Sequence, residues 1–272
     1  MILITVSRMM GAGAEVISER VAKELGEELY NDGRMVQAAR EMGLKTEELA
    51  GLDERQPGFF ERLWGQRPMV MLDILQSVVY EIARRGGAVI VGHGGQVMLK
   101  EFDCALHVHI HAPFKKRVER IMKLNNMDRS TAEHIVRNSD RQRGGFLRYA
   151  FHIDWEDPQL YDMVVNTEKV GIDTAVQMIL DVARSDEIKA CSATAMDTMA
   201  RMALASRAEA RLLETGLSSF SLSVRSPQKG VVDVSGLVND IEEKEIIDRV
   251  LRELPEVKEV NLNVVVRPLE AE

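Results

Sequence analysis

Cysteine is scarce in this chain, with two residues, Cys104 and Cys191, among 272. They lie far apart and in no metal-ligand or redox spacing, which excludes a disulfide scaffold and points to a reducing compartment. Aromatic residues are sparse at 5%, yet an apolar fraction of 45% is ordinary for a globular protein and excludes collagen-like, mucin-like and disordered classes. No run of eighteen apolar residues occurs, so no segment reads as crossing a bilayer. The short apolar start, Met1 to Val6, is broken by Ser7-Arg8 and is too brief for a secretory signal. Positive charge is not in excess either: 43 acidic residues face 35 basic ones, a net −8. A global nucleic-acid or anionic-membrane footprint needs the opposite balance. The expectation is a cytoplasmic chain with no nucleic-acid partner and no membrane span, long enough for one large domain or two modest ones.

What is present reads as an α/β opening. Ile2 to Val6 is a β-rich run that ends in the turn Gly11-Ala12-Gly13-Ala14. Val16, Ile17, Val21 and Leu25 then recur at helical spacing before a stop at Gly26. Helical patterns at 35–50 and 68–85 flank a Pro/Gly-containing stretch that carries Phe59, Phe60 and Trp64. Ala88-Val89-Ile90-Val91 is apolar on both faces, as a covered parallel strand must be. Further strands are expected at 105–110 and 163–165, with helices at 113–124, 129–143 and 174–184. Residues 186–192 read as a linker. Beyond it come a helix (194–214), two strands (219–225 and 231–236) joined by the hairpin chemistry of Ser226 to Gly230, a helix (241–253) and a strand (258–266). The expected domains are 1–186 and 193–268.

A glycine turn between a first strand and a first helix is where α/β folds hold phosphate, on inward backbone N–H groups and the helix N-terminus. The full pattern also needs a lysine and a Ser/Thr hydroxyl; here Ala14 and Val16 occupy those places. Read alone, the turn is a phosphate cradle or simply a tight connection. From Lys115 to Arg148 ten basic residues face four acidic ones. Arg137, Arg141 and Arg148 fall near multiples of 3.6 and can share a helical face, as a directed cluster or a solvated one. His107, His109 and His111 alternate along one strand and share a face. Same-face neighbours are roughly 7 Å apart, too far for all three to grip one ion without bending, so no metal site is expected. Trp155, Tyr149 and Phe151 read as base-stacking groups or a packed hinge. Most of the fifteen methionines read as core filling.

Residues 1–184 resemble the cytidylate-kinase-like branch of the nucleoside monophosphate kinases. Ser7-Arg8 followed by Gly11-Ala12-Gly13 is similar to that branch's variant loop, in which the usual lysine is commonly missing. Tyr30-Asn31-Asp32 with Gln37-Ala38-Ala39 resembles its monophosphate-side segment. Val89 to Gly95 resembles its second-strand motif, with His93 where the family usually has Arg. Asp140-Arg141-Gln142-Arg143 looks like its arginine-bearing lid, and Tyr161-Asp162 with Asn166-Thr167 like its final strand. The resemblance implies a three-layer P-loop fold with a parallel sheet. It implies ATP-dependent phosphorylation of a pyrimidine nucleoside monophosphate, CMP foremost, with ATP and Mg2+ as cofactors. Ser7, Arg8, Gly11, Ala12, Gly13 and Ala14 would surround the ATP phosphates. Asp32, Gly92, His93, Gly94 and Arg148 would hold the monophosphate, and Arg137, Arg141 and Arg143 would act in catalysis. Arg8 is the candidate to supply the missing lysine's charge. With three usual anchors replaced, a catalytically silent nucleotide sensor is the alternative.

Residues 194–267 resemble the BON domain, through Val231-Val232-Asp233-Val234-Ser235-Gly236-Leu237-Val238 and Leu254-Pro255-Glu256-Val257-Lys258-Glu259-Val260 with Asn261 to Val264. The resemblance implies a small α+β module that regulates the first domain or joins copies of the chain into a homo-oligomer. A protein that uses both domains only as assembly surfaces is a third reading.

Overall fold

The computed structural model describes residues 2–42, 68–188, 190–217 and 222–267. Phe59, Phe60, Trp64, the second half of the helical pattern at 35–50 and the start of the strand expected at 219–225 lie outside the described residues. Two compact units emerge, one holding described residues 2–37 and 85–192, the other 38–42, 68–84 and 193–267.

The chain opens with β1 (Leu3–Arg8), α1 (Ala14–Leu25), β2 (Glu28–Tyr30) and α2 (Asp32–Glu41). Helix α3 (Pro68–Arg85) leads into β3 (Ala88–Val91), the single-turn α4 (Gly95–Met98) and β4 (Ala105–His111). Then come α5 (Phe114–Asn125), α6 (Arg129–Phe151), β5 (Met163–Asn166) and α7 (Ile172–Ala183). The first unit's five strands pair in the order β2-β3-β1-β4-β5, every pair parallel. Leu3 stands opposite both Ala88 and Ala105, so β1 is flanked on both sides by apolar strands. All six β1 residues are buried, which is why Leu3 to Val6 reads as a continuous run with no alternation. Ile17 and Val21 of α1, Val176 and Ile179 of α7, and Val108 of β4 join one core. The chain leaves β1 for one side of the sheet and later returns to build the other. The crevice beyond the carboxyl end of β1 is therefore the switch point where such folds place their ligands.

The sequence expectation fails in two places here. Helix α6 does not end at residue 143 but runs 23 residues to Phe151, through Gly144-Gly145. A Cβ on Gly144 would lie 3.1 Å from the Trp155 Nε1, so the glycine makes room for an indole against the helix. That packing offsets the helix cost of two glycines. Tyr149 and Phe151 are thus helical rather than part of a loop. The two cysteines, whose scarcity and spacing pointed to a reducing compartment, instead form a disulfide between Cys104 and Cys191, 87 residues apart. Loop-closing pairs at that separation have no spacing signature.

In the second unit, α8 (Ala193–Glu214) is followed by β6 (Leu222–Arg225), β7 (Val231–Val238), α9 (Ile241–Arg252) and β8 (Glu259–Val266). Strand β6 pairs antiparallel with β7 through the expected hairpin, and β8 pairs parallel with β7 after the α9 crossover. Leu204, Ala208 and Leu212 of α8 and Ile247 and Leu251 of α9 bury against Val232 and Val234 of β7. Helix α9 starts at a reciprocal cap: the Asp240 carboxylate accepts from the Glu243 N–H at 2.8 Å, and Glu243 accepts from the Asn239 N–H at 2.7 Å. Such a cap is typically worth about 1 kcal/mol. Among the described residues no helix is long and apolar enough to cross a membrane.

Candidate nucleotide site

At the end of β1 the backbone turns through Gly11 (φ +80) and Gly13 (φ +86), and α1 begins at Ala14 with no side chain capping it. A Cβ on Gly11 would meet the Arg117 carbonyl oxygen at 2.8 Å, so this position needs glycine for its space as well as its φ. The loop is gripped by its carbonyls. Arg117 Nη1 donates to Met10 O (3.3 Å), Arg120 Nη1 to Gly11 O (3.3 Å), and Thr167 Oγ1 to Ala12 O (2.7 Å). Met9 O and Gly13 O accept from the Ala12 and Ile17 N–H groups. With the five consecutive carbonyls from Met9 to Gly13 turned to donors within the protein, the loop's remaining N–H groups are the ones left to face an anion at a helix N-terminus.

Arg117 holds this arrangement in place. Buried on α5, it donates through Nε to Ala112 O at 2.9 Å and forks onto both Asp140 oxygens at 2.9 and 2.8 Å. A bidentate pair of this kind fixes direction as well as charge. It joins α5, α6 and the glycine loop into one network. Arg120 adds a second brace through Thr167 Oγ1 (2.9 Å). Neither Arg117 nor Arg120 was a candidate from sequence. Within a tract of ten basic residues nothing local marks the two that point inward.

Beside the loop, Arg8 is buried with its Nη2 3.7 Å from Asp32 Oδ1 and its Nε 3.7 Å from Glu15 Oε1. His93 Nε2 lies 3.2 Å from the same Asp32 oxygen. Gly92, His93 and Gly94 all take positive φ (86, 59 and 73°); for His93 this costs roughly 1 kcal/mol or more. The left-handed run aims the buried imidazole at Asp32. The structure therefore brings Arg8, Asp32 and His93 together as a compact cation–carboxylate–imidazole cluster. Ser7, Arg8, Gly92, His93, Gly94 and Arg143 line one narrow cleft. Gln96, Phe146, Leu147 and Trp155 complete its wall.

The lid arginines separate. Arg143 faces the cleft, with Nη1 bound to Ser139 Oγ at 2.8 Å. Arg137, Arg141 and Arg148 share the exposed face of α6, and Arg137 sits 4.3 Å over the Phe114 ring. Their helical spacing was legible, but the face they occupy is the solvated one.

The histidine ladder is structural in its contacts. His107 Nδ1 is 2.7 Å from Thr5 Oγ1, and its backbone N–H donates to Asp162 Oδ2 at 2.7 Å. His109 stacks on Tyr161 (4.8 Å) and meets Trp155 edge-on (5.8 Å). Burial, with His111 nearby, pushes His109 down to about 4, and burial lowers His107 as well. Both are neutral at physiological pH. The Tyr161 hydroxyl donates to Trp155 O at 2.6 Å and lies 3.2 Å from Ser7 Oγ, tying this aromatic wall to the cleft. Among the described residues no group of three or more His, Cys, Asp or Glu side chains is placed to hold a metal ion.

Three comparisons place this geometry among known proteins. The chain is 28% identical over 183 residues to the cytidylate kinase of Staphylothermus marinus, covering 66% of this chain and 94% of that one. With the cytidylate kinase of Aeropyrum pernix it shares 30% identity over 177 residues, 64% of this chain and 94% of the relative. A solved structure of an uncharacterized protein from Eubacterium ventriosum matches with a TM-score of 0.51 at 20% identity, over 68% of this chain and 99% of that one; it supports the fold. The profile of the cytidylate kinase-like family matches residues 3–169. That span takes in the glycine loop, the Arg8–Asp32–His93 cluster, the braces Arg117 and Arg120 and the final strand, and the chain belongs to the cytidylate kinase-like family.

Proposed function

We propose that the five-stranded unit is a nucleoside monophosphate kinase that transfers the γ-phosphoryl group of ATP to a pyrimidine nucleotide, CMP foremost. The observation that carries the reading is the glycine loop, whose carbonyls are engaged by Arg117, Arg120 and Thr167 while its N–H side and the α1 N-terminus are left for phosphate. The residues fit the phosphates of a nucleotide better than they fit its metal. Glu15, directly after Ala14, and not Val16 stands where a hydroxyl would reach magnesium, and its carboxylate lies 3.7 Å from Arg8 Nε, so the ion would rest on phosphate oxygens and water. Magnesium bound in this way supplies charge neutralisation for the transfer.

Phosphoryl transfer asks the protein mainly for positioning and positive charge. Arg143 is the cleft arginine placed to meet a transferring group, and Gly92 to Gly94 with Asp32 form the acceptor side. Arg8 does not stand in simply for a lysine, because Asp32 and Glu15 both draw on its charge. That engagement is the specific ground for the second reading, a nucleotide sensor without turnover. In either case residues 193–268 form a BON-like module that regulates the first domain or associates copies of the chain.

The deciding assay is ADP release from ATP and magnesium with CMP, dCMP, UMP, AMP and GMP offered separately. The kinase reading expects turnover with a pyrimidine acceptor, lowered about 100-fold in Arg143→Ala, the usual scale for one lost charge-stabilising donor. Saturable nucleotide binding with no turnover for any acceptor sinks it in favour of the sensor.

A further inference from the structure

We infer that β8 is the surface on which a second copy of this chain docks, its outer edge pairing antiparallel with the same edge of the partner subunit. That pairing rests on the reading of the three-stranded unit as a module that associates copies of the chain.

The sheet order β6-β7-β8 leaves β8 at one edge, running eight residues from Glu259 to Val266, with no strand beyond it among the described residues. The parallel ladder to β7 decides which backbone groups are open. The Glu259 N–H donates to the Gly230 carbonyl (3.1 Å) and the Arg267 N–H to the Val238 carbonyl (2.9 Å). Odd-numbered residues therefore turn their backbone towards β7, and Val260, Leu262, Val264 and Val266 turn theirs outward. The side chains of Val260, Leu262 and Val264 pack into the core under α8 and α9, whereas Val266, on the same row, is 38% exposed. On the opposite face Leu237 and Val265 stand side by side in the β7–β8 register, 45% and 60% exposed.

Sheets commonly guard an edge of this length with a proline, a lysine, an inward charge or a bulge. β8 has none of these. Between Glu259 at its start and Arg267 just past its end it carries no charge and no proline, and its register with β7 runs unbroken through all eight residues.

The two flanking charges, both exposed, select the occupant. A two-fold axis through Asn263 sets Glu259 opposite the partner's Arg267, and Arg267 opposite the partner's Glu259. The same axis places Val260 against the partner's Val266 and Leu262 against the partner's Val264. Those are the residues whose backbone groups point outward, so each pair can exchange both hydrogen bonds. Moving the axis to Leu262 or Val264 loses both ion pairs, and an axis between two residues sets the apolar row against the polar one. A strand complementary to itself is what a two-fold interface requires.

The test is sedimentation velocity of the full chain over a wide range of concentration, with amide exchange of β8 read alongside. A monomer–dimer equilibrium is expected, with the Leu262, Val264 and Val266 amides becoming protected as the dimer forms. Glu259→Arg alone, or Arg267→Glu alone, should weaken the dimer about tenfold by creating two like-charge pairs across the axis. The combined swap Glu259→Arg/Arg267→Glu should restore it, which a merely damaged fold could not do. Val264→Pro removes an outward N–H but no bond to β7, and should leave a monomer. A dimer indifferent to these variants, or a swap that fails to rescue, overturns the proposal while association through another surface stands. A monomer at every concentration overturns the proposal and the association reading together. In that monomer, protected outward amides would assign the edge to another segment of the same chain, and unprotected ones would leave it to a strand of a different protein.

Discussion

Arg117 and Arg207 are both buried arginines on helices, and the two units treat them in opposite ways. In the five-stranded unit Arg117 donates to two carbonyls and forks onto Asp140. In the three-stranded unit Arg207 pairs with Glu256 and leaves its Nε unmade. The carboxylates follow suit: Asp162 accepts from the His107 N–H, whereas Asp73, 6% exposed, has an Oδ2 without a partner. A saturated network fixes one shape for a loop that must present its amides accurately. An unsaturated one stores free energy that a bound ligand or a proton can release.

The largest test of that contrast is titration. Burial, with Glu209 nearby, pushes Asp73 up to about 8. Its folded-state pKa lies above its unfolded value near 3.8, so the folded state binds the extra proton between those values. Stability is therefore full below pH 4 and is lost as pH rises to 8, by up to an order of 5 kcal/mol. In Asp73→Asn that decline should vanish, read by hydrogen-exchange protection of the three-stranded unit at pH 5, 6.5 and 8. An unchanged slope would show that Asp73 is ionised in the fold.

Next in size, Arg117→Ala should make the first unit resemble the second, stranding Asp140 and releasing the Ala112 carbonyl and the Met10 carbonyl of the glycine loop. The expected loss is about 3 kcal/mol by denaturant midpoint, with nucleotide binding reduced by more than the stability loss explains. A comparable loss in stability with intact nucleotide affinity would mean the loop holds its shape without this brace.

His109 gives a signal of nearly the same size and of opposite sign to Asp73. Its pKa is depressed to about 4, so the unfolded state takes up a proton first as pH falls. The neutral imidazole's contribution is present above pH 6.5 and is lost towards pH 4, about 3 kcal/mol in all. In His109→Phe, which keeps the stack on Tyr161, the first unit should lose less protection between pH 6.5 and 4 than the unsubstituted chain. Equal losses would move the acid sensitivity to another group.

The smallest expected effect belongs to His93. Exchange for glycine relieves the positive φ, worth roughly 1 kcal/mol, but removes the imidazole from Asp32. Stability should change by less than that, while nucleotide affinity falls. An affinity left untouched would make the strained turn purely architectural.

Much of this was legible beforehand, and the exceptions have physical causes. β1 and β3 announced themselves as continuous apolar runs because a parallel sheet buries both faces, and Gly11 and Gly13 marked the turn because their positive φ favours glycine. Helix α6 overran its expected end because Gly144 is explained only by Trp155, eleven positions later and outside any local pattern. Arg143 could not be told from Arg137, Arg141 and Arg148 by helical spacing alone, since periodicity names a face without saying which face meets solvent. Arg117 and Arg120 were hidden for the same reason, and the Cys104–Cys191 pair because sequence distance says nothing about spatial distance.

That disulfide has a further consequence for the covalent topology of the chain. Residues 104 to 191 become a closed ring, and the ring carries β4, both helices that brace the glycine loop, β5 and α7. A single proteolytic cut anywhere inside it leaves one molecule, whose two pieces part only after reduction. A matching cut outside the ring gives two fragments that part on denaturation without any reductant.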